Sequence, residues 1–284
     1  MVGAAMVFWL LLQAVSSCSA KMHLPAWGQK TVQVCLYLLA FCGIAFAIML
    51  GILQRDESLR QWAFSKIMTS MASGKDPVMN QMRCDLLGNV SGVVMEIGTG
   101  PGTNFKCWEN ASINTYIGVE PNRNFEEAIK LEKRAYNLNF QINMLYGSGE
   151  DNIVDIGRDS VDAVVATHVL CSVGSDDVIE HILTEIVRVL RPGATFYFFE
   201  HVRAPAGSVG SMLQQAVAPL FKIVGNGCQF KEVSKNLEKF SASHRGELEL
   251  NLEHFEAPMG IPFLRPHVRG TLKKVKRGLF GSRG

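Results

Sequence analysis

Hydrophobic and polar positions follow one pattern in the first fifty residues and another beyond residue 90. The block from Val2 to Val15 is apolar apart from Gln13, and Thr31 to Leu53 is a longer apolar block that contains one amide, Gln33. A helix over residues 31–53 would be about 34 Å long, enough to cross a hydrocarbon core of about 30 Å. The pattern predicts a membrane anchor over residues 1–54, with a signal-like segment at 1–20 and a transmembrane or hairpin helix at 31–53.

Residues 55–90 have a composition typical of an amphipathic helix that links the anchor to the rest of the chain. Apolar side chains recur at helical spacing at Leu59, Trp62, Ala63, Ile67, Met68 and Met71. Such a helix can pack on a neighbouring domain or lie at a membrane interface. A stripe of this kind favours a place in the core over the wall of a ligand site.

Beyond residue 90, short apolar runs alternate with amphipathic stretches, which is typical of an α/β fold with a parallel sheet and helices on both faces. A final pair of strands, 247–257 and 267–274, is predicted to be antiparallel about the connection 258–265. We therefore predict one domain over 91–272 and a solvated basic tail over 273–284. The other predicted strands are 93–97, 116–119, 139–146, 160–166 and 195–199, and the predicted helices are 125–136, 181–190 and 208–224.

Composition narrows the possible partners and the compartment. The 284 residues carry a net charge of only +2, so charge does not favour nucleic acid as a partner. The seven cysteines are scattered and include no C-x-x-C pair. This spacing predicts reduced thiols that face a cytosol-like compartment, with neither a disulfide framework nor a metal site.

The most informative motif is a glycine-rich loop that follows the first predicted strand. It reads E-I-G-T-G-P-G, with Glu96 two residues before Gly98 and further glycines at 100 and 102. Thr103 stands where a dinucleotide fingerprint would place its third glycine. The carboxylate of Glu96 would repel a pyrophosphate and could attract the cationic groups of S-adenosylmethionine. A methyl-donor site, a dinucleotide site and a plain glycine-rich turn all fit the loop by itself.

Residues at the ends of the following strands extend this candidate site, because ligands bind beyond the carboxyl ends of strands in such sheets. Glu120 follows the second strand, twenty residues after Gly100, where a carboxylate can accept hydrogen bonds from both ribose hydroxyls. The third strand is followed by a turn, 148–150, that can face an adenine. The predicted donor-binding residues are Glu96, Gly98, Thr99, Gly100, Gly102, Glu120, Pro121, Asn122, Ser148, Gly149, Glu150, Thr167 and His168.

These motifs resemble those of the class I S-adenosylmethionine-dependent methyltransferases over residues 93–270. The resemblance is narrower to the membrane-anchored thiol S-methyltransferases among the methyltransferase-like proteins of animals. Its more particular segments are L-C-S-V within V-L-C-S-V at 169–173, F-E-H-V within F-Y-F-F-E-H-V at 196–202 and R-P-H within L-R-P-H-V-R-G at 264–270. The motif R-V-L-R-P-G at 188–193 is common to many small-molecule methyltransferases, and the glycine loop, E-P-N-R-N-F-E at 120–126 and G-N-G-C at 225–228 also carry the resemblance.

The resemblance implies a Rossmann-like, seven-stranded sheet with an antiparallel final strand, S-adenosylmethionine as donor, and a small alkyl thiol or sulfide as acceptor. The sequence departs from the family pattern at His168 and Ala194, and Glu120 stands where an aspartate is common. A thiol must lose its proton before it attacks, and His201 and His267 are the predicted bases.

Two other functions fit the same residues. One is a methyltransferase whose acceptor is a lipid, quinone or sterol, and the other is a non-catalytic membrane or lipid-droplet protein that uses the fold as a scaffold. We expect the domain to face the cytosol from the endoplasmic reticulum or a lipid droplet, since the methyl donor is made in the cytosol. Sequons at Asn89 and Asn110 provide a check, because a glycan on either would place the domain in the lumen.

Overall fold

The computed structural model describes residues 25–72 and 77–276. The chain divides into two compact units, Met1–Glu57 and Ser58–Gly284. The predicted signal-like segment at 1–20 and the last residues of the predicted basic tail lie outside the described residues.

The first unit contains a long apolar helix, α1, Ala26–Arg55. Its stretch Trp27–Arg55 has 29 residues, and the most apolar 18-residue window within it has a mean hydropathy of 2.5 and is not buried. This confirms the helix predicted over 31–53, which extends further at both ends. Its length and composition suit a membrane anchor, and a signal sequence has the same properties.

The second unit is built on one sheet of seven strands in the order β3-β2-β1-β4-β5-β7-β6. The first five strands pair in parallel, and β7 is antiparallel to both of its neighbours. The predicted fold class, including the antiparallel final strand, is therefore confirmed. The strands are β1 Gly92–Ile97, β2 Ile113–Val119, β3 Gln141–Leu145, β4 Val161–Thr167, β5 Leu190–His201, β6 Leu248–Glu256 and β7 Pro266–Lys274.

Helices cover both faces of this sheet, because its central strands present apolar side chains to each side. One core packs central strands of the sheet against the helical residues Ile179, Ile182 and Ile186. A second core forms around Phe105, Trp108 and Tyr116. The described helices are α2 Glu57–Ala72, α3 Pro77–Leu87, α4 Glu126–Ala135, α5 Gly149–Asn152, α6 Asp176–Val189, α7 Val209–Val224 and α8 Val233–Ser243. Short 3-10 turns lie at 105–108, 123–125, 153–155 and 262–264.

The predicted elements are correct in type, and several boundaries differ. Strand β2 begins at Ile113 and helix α6 at Asp176, both earlier than predicted. Strand β5 begins at Leu190, directly after α6, because Leu190 pairs with Val161 across a register shift. Helix α8 was not predicted, although Val233, Leu237 and Phe240 recur at helical spacing and are buried.

The segment predicted as one linker helix contains two helices, α2 and α3, on either side of residues 73–76. The side chains of Trp62, Ile67 and Met71 are 50%, 49% and 63% exposed, so the prediction of a core stripe was wrong for them. Phe64 and Met68 instead pack against the second core. The apolar stripe is therefore divided between the protein interior and solvent.

The basic cluster predicted as a solvated tail is partly structured. Lys273 and Lys274 belong to β7. The ammonium group of Lys274 donates to Asp159 Oδ1 at 2.6 Å and to the carbonyl oxygens of Val187 and Leu190 at 2.8 and 2.7 Å. The strand predicted over 267–274 is therefore confirmed to its last residue, since Lys273 pairs with Thr195 of β5 and Lys274 with Leu248 of β6.

Two cysteines form a disulfide that the sequence did not predict. Cys84 on α3 is bonded to Cys107, which lies in the 3-10 turn after the glycine loop. Cys35, Cys42, Cys171 and Cys228 are free. The prediction that every thiol is reduced was therefore wrong for one pair, whose separation of 23 residues carries no local motif.

Reduction of this disulfide is expected to lower the free energy of unfolding of the second unit by about 3 kcal/mol, because it releases a loop of intermediate length in the unfolded chain. The measurement is denaturant unfolding with and without a phosphine reductant. A Cys84→Ser/Cys107→Ser double variant is the control, and it should respond to the reductant by less than about 0.5 kcal/mol. Equal responses of the two proteins would contradict the prediction.

Candidate active site

A cavity lies where the carboxyl ends of β1, β2 and β4 meet. It has a volume of about 480 Å³, which lies in the range of small-molecule sites. Strand β1 pairs with β2 on one side and with β4 on the other, so the strand order changes direction here. A crevice at such a switch point is where open α/β sheets bind their ligands.

The glycine loop forms one side of this cavity. Gly98 and Gly100 have φ angles of +69° and +54°, which L side chains rarely adopt. A Cβ on Gly98 would lie 2.3 Å from Cγ2 of Val169, whereas a Cβ on Gly100 would meet nothing within 4 Å. The first glycine is therefore required by packing inside the protein, and the second leaves open space in front of the loop.

Glu120 joins the glycine loop to the end of β2. One carboxylate oxygen accepts a hydrogen bond from the backbone N–H of Gly100 at 2.8 Å, and the other accepts from the N–H of Asn122 at 2.9 Å. Burial raises the pKa of Glu120, and the two backbone donors oppose that shift. Each oxygen keeps a second lone pair, so the carboxylate can hold two hydroxyl groups of a ligand.

Glu96 lies beneath the loop and does not line the cavity. Its side chain is 1% exposed and accepts hydrogen bonds from Asn104 Nδ2 and from the hydroxyl of Tyr116, both at 2.5 Å. Tyr116 in turn lies 2.9 Å from the hydroxyl of Thr99. Burial raises the pKa of Glu96 from 4.5 to about 7, although both hydrogen bonds act in the opposite direction. The carboxyl group thus supports the loop from behind through a buried network.

The raised pKa of Glu96 predicts a stability that falls as pH rises. The folded state holds the proton more tightly than the unfolded state, so stability is lost between pH 4.5 and about pH 7 and stays constant above. Glu96→Gln should remove this loss, which amounts to about 3 kcal/mol for a shift of this size.

Urea unfolding of both proteins from pH 5 to pH 8 provides the measurement. We expect the difference in unfolding free energy between Glu96→Gln and the parent to increase in favour of the variant as pH rises. A difference that stays constant over this range would contradict a raised pKa, whatever the effect of the substitution at a single pH.

The turn after β3 forms another part of the wall. Ser148 caps the short helix α5, and its hydroxyl donates to Asp151 Oδ2 at 2.5 Å. Asp151 therefore belongs to the cap, whereas Ser148, Gly149 and Glu150 line the cavity. A Cβ on Gly149 would lie 3.2 Å from Cγ2 of Ile97, so this turn packs closely on the end of β1.

Helix α2 contributes a wall that the sequence did not predict. Phe64, Met68 and Met71 line the cavity. The backbone carbonyl of Gln61 accepts from Asn122 Nδ2 at 2.8 Å, next to Glu120. These contacts connect the segment predicted as a linker to the ends of β1 and β2, so it is part of the site.

His168 lines the cavity at the end of β4 in a left-handed conformation, with φ of +57°. Its Nε2 lies 3.0 Å from Nε2 of His267, whose Nδ1 lies 2.9 Å from the carbonyl oxygen of Arg265. That carbonyl oxygen requires the proton of His267 on Nδ1, so Nε2 of His267 accepts a hydrogen bond from the Nε2–H group of His168. Burial holds the pKa of His168 well below its usual range and lowers that of His267 to about 4. Both rings are therefore neutral near pH 7.

His201 is 9% exposed and does not line the cavity. Its Nε2 lies 3.0 Å from the sulfur of Cys228 and 3.6 Å from that of Cys171. The preceding residue, Glu200, accepts from the backbone N–H groups of Val169 and Leu170 at 2.8 and 3.0 Å. Glu200 thereby fixes the loop that follows β4.

The structure brings most of the predicted donor-binding residues to one cavity. Those that line it are Gly98, Thr99, Gly100, Glu120, Pro121, Ser148, Gly149, Glu150, Thr167 and His168. Glu96, Gly102 and Asn122 lie behind the lining, as do the two predicted bases, His201 and His267. Among the lining residues that sequence reasoning missed, Asn104 is the most informative, because its Oδ1 is buried and has no partner among the described residues.

Comparison with known proteins agrees with this geometry. A sequence family described as a methyltransferase domain matches residues 95–198. The structure is similar to that of geranyl diphosphate methyltransferase in complex with SAM, with a TM-score of 0.54 and 12% identity over 70% of this chain and 85% of that chain. The cyclase SpnF has the same TM-score at 12% identity, over 70% of this chain and 80% of that one, so fold similarity alone does not determine the reaction. Fold and sequence match together define a class I methyltransferase that uses S-adenosylmethionine.

Sequence similarity is more specific. Human thiol S-methyltransferase TMT1A is 37% identical over 182 residues, which cover 64% of this chain and 70% of that protein. Thiol S-methyltransferase TMT1B of Rattus norvegicus is 34% identical over 206 residues, which cover 72% of this chain and 80% of that protein. The chain belongs to the family of thiol S-methyltransferases that includes TMT1A and TMT1B.

Proposed function

We propose that this protein transfers a methyl group from S-adenosylmethionine to the sulfur of small alkyl thiols or sulfide. The observation that carries the proposal is the 37% identity to a thiol S-methyltransferase over 70% of that relative's length. The cavity adds support, because its walls include the apolar side chains of Val169, Val173 and Val178 next to the glycine loop. Such a surface suits a small lipophilic acceptor.

The donor is proposed to occupy the cavity with its ribose hydroxyls on Glu120 and its adenine against the turn 148–150. Its methionine end would lie along Gly98 and Gly100, where the open space in front of Gly100 allows close approach of a ligand. The unpartnered Oδ1 of Asn104 suits the amino group at that end of the donor. The sulfonium would then lie toward Thr167 and His168, at the end of β4.

Removal of the proton from the acceptor thiol is proposed to occur without His201 or His267 as the base. Both nitrogen atoms of His267 are engaged with neighbours, and neither His201 nor His267 lines the cavity. His168 does line it, and its low pKa makes it a weak base. The donor sulfonium is already activated, so the protein mainly needs to align the acceptor sulfur and exclude water.

We further propose that residues 1–54 anchor the protein in a membrane, with residues 55–90 connecting the anchor to a catalytic domain over 91–272. The endoplasmic reticulum or a lipid droplet is the proposed location, with the domain on the cytosolic side. The apolar helix α1 supports an anchor, and the Cys84–Cys107 disulfide is the observation that opposes a cytosolic side. Asn89 and Asn110 are exposed sequons, so glycosidase treatment of the protein expressed in cells determines on which side of the membrane the domain lies. We expect the treatment to leave the mass of the protein unchanged, as it should on the cytosolic side.

The test of the reaction uses the full chain in detergent with S-adenosylmethionine labelled in its methyl group. Small alkyl thiols, hydrogen sulfide and a membrane lipid extract are offered as separate acceptors, and products are identified by mass spectrometry. We expect labelled methyl sulfides from the thiol arms. Label that enters only the lipid extract would reject a thiol acceptor, and binding of the donor without any labelled product would favour a scaffold.

A further inference from the structure

A second group of reactive side chains lies beside the cavity. The sulfur atoms of Cys171 and Cys228 are 3.1 Å apart, and Nε2 of His201 lies within 3.6 Å of both. All three side chains are buried, with exposures of 0%, 6% and 9% for Cys171, Cys228 and His201. Both cysteines are free thiols. Three soft or borderline ligand atoms therefore meet at one point inside the protein.

The three residues come from different parts of the fold. Cys171 lies in the loop after β4, His201 ends β5, and Cys228 follows α7. The neighbours Ser172 and Asn226 line the cavity, and the ring of His201 lies 5.8 Å from that of His168, another lining residue. The cluster is thus directly behind the wall at the end of β4, where the sulfonium of the donor is proposed to lie.

We propose that Cys171, His201 and Cys228 bind a zinc ion. Two thiolates and one imidazole form a donor set that selects Zn²⁺ among common cellular cations. Tetrahedral zinc would set the sulfur atoms about 3.8 Å apart and each sulfur about 3.5 Å from the nitrogen. The triangle in the structure, with edges of 3.0, 3.1 and 3.6 Å, has to open by at most about 0.7 Å to admit the ion.

The number of ligands indicates what the metal does. Structural zinc sites are usually closed by four protein ligands, whereas catalytic sites keep three and leave the fourth position open. Within the described residues, the cluster offers three. The open position is proposed to take the sulfur of the acceptor, a role that rests on the proposed thiol methylation.

The zinc ion would supply what the histidines lack. A thiol that coordinates zinc loses its proton to solvent near neutral pH. The sulfur lone pair then forms a bond to the methyl carbon, while the bond from that carbon to the sulfonium sulfur breaks and its electron pair remains on S-adenosylhomocysteine. The neutral methyl sulfide is a weaker ligand than a thiolate and leaves. In sum, thiol and S-adenosylmethionine give methyl sulfide, S-adenosylhomocysteine and one proton.

The first test measures metal content of the full chain, purified in detergent with a phosphine reductant. Inductively coupled plasma mass spectrometry is expected to find about one zinc per chain for the parent. The Cys84→Ser/Cys107→Ser double variant, which removes two cysteines elsewhere, should retain the metal. Cys228→Ser and His201→Phe should lose at least nine-tenths of it.

His201→Cys separates metal binding from packing, because cysteine supplies another zinc ligand but neither the ring nor its hydrogen bonds. It is expected to keep the zinc. Replacement of zinc by Co²⁺ should give visible absorption typical of tetrahedral cobalt bound to thiolates in the parent and in His201→Cys, with no such bands in His201→Phe. A parent chain free of metal would overturn the proposal, as would a Cys171–Cys228 disulfide found by peptide mapping of protein purified without reductant.

A final comparison separates the metal from the reaction. Methyl transfer to a thiol is expected to fall at least tenfold after zinc is removed with a chelator and to return when zinc is added. If the protein contains zinc but methylates no thiol, the proposed acceptor is wrong and the proposed metal site is supported. If thiol methylation is equally fast with and without zinc, the proposed role of the metal is wrong and the proposed reaction is supported.

Discussion

Glu120→Ala is expected to weaken binding of S-adenosylmethionine at least about 100-fold, because each of two hydrogen bonds to a charged group contributes roughly 1.5–3 kcal/mol. The substitution removes both proposed ribose contacts. It also frees the backbone N–H groups of Gly100 and Asn122, which hold the glycine loop to the end of β2. Calorimetric titration with the donor provides the dissociation constant.

Glu126→Ala is the matched control for this measurement. Glu126 lies on α4, six positions further along the chain, and its carboxylate pairs with Lys130 at the surface. Its removal should leave donor affinity within about twofold of the parent, since exposed ion pairs contribute little. Equal affinities of the Glu120→Ala variant and the parent would show that the donor does not use this carboxylate.

Gly98→Ala should have the larger effect on folding. The new methyl group would lie 2.3 Å from Val169 Cγ2, and the backbone at this position has positive φ. Overpacking and backbone strain together are expected to lower the unfolding free energy by about 2–4 kcal/mol. Gly100→Ala meets no atom within 4 Å, so it should lose only about 1–2 kcal/mol from its left-handed backbone.

Thermal unfolding of both variants tests this difference, and a double variant identifies its cause. The double variant Gly98→Ala/Val169→Ala lacks the two methyl groups of Val169 with which the new Cβ at position 98 would clash. The two substitutions together should therefore lower the unfolding free energy by less than the sum of their separate effects. Strict additivity would mean that the contact between Gly98 and Val169 does not limit the loop, and a smaller effect at Gly98 than at Gly100 would contradict the packing argument.

The sequence was sufficient for the sheet and for bringing most of the predicted donor-binding residues to one cavity, because both depend on local patterns. Apolar runs define strands, and the residues directly after parallel strands meet at one edge. Glu120 and the turn 148–150 were predicted in this way, and both line the cavity. The same logic placed Thr167 and His168 at the end of β4.

Contacts between residues far apart in the sequence could not be predicted from local patterns. Tyr116 is an ordinary apolar position of β2 by pattern, yet its hydroxyl holds Glu96 beneath the loop. The wall formed by Phe64 and Met68 depends on how α2 packs, which helical spacing does not specify. Likewise, His267 meets His168 across 99 positions of the chain.

Cysteine spacing was a poor guide for the same reason. The sequence contains no C-x-x-C pair, so it predicted neither a disulfide nor a metal site. The fold brings Cys84 to Cys107, and it brings Cys171 to Cys228 over 57 positions. Both contacts depend on how separate segments of the chain pack, which local sequence motifs do not specify.

The disulfide has a consequence for any kinetic study of this enzyme. It joins α3 to the turn that begins one residue after Asn104, and both cysteines are only partly buried. A small thiol offered as methyl acceptor is also a reductant that can exchange with such a bond. Rates plotted against acceptor concentration would then combine saturation of the active site with a gradual change in the enzyme itself. Rate curves should therefore be recorded on protein whose Cys84–Cys107 bond has been fixed beforehand in one state.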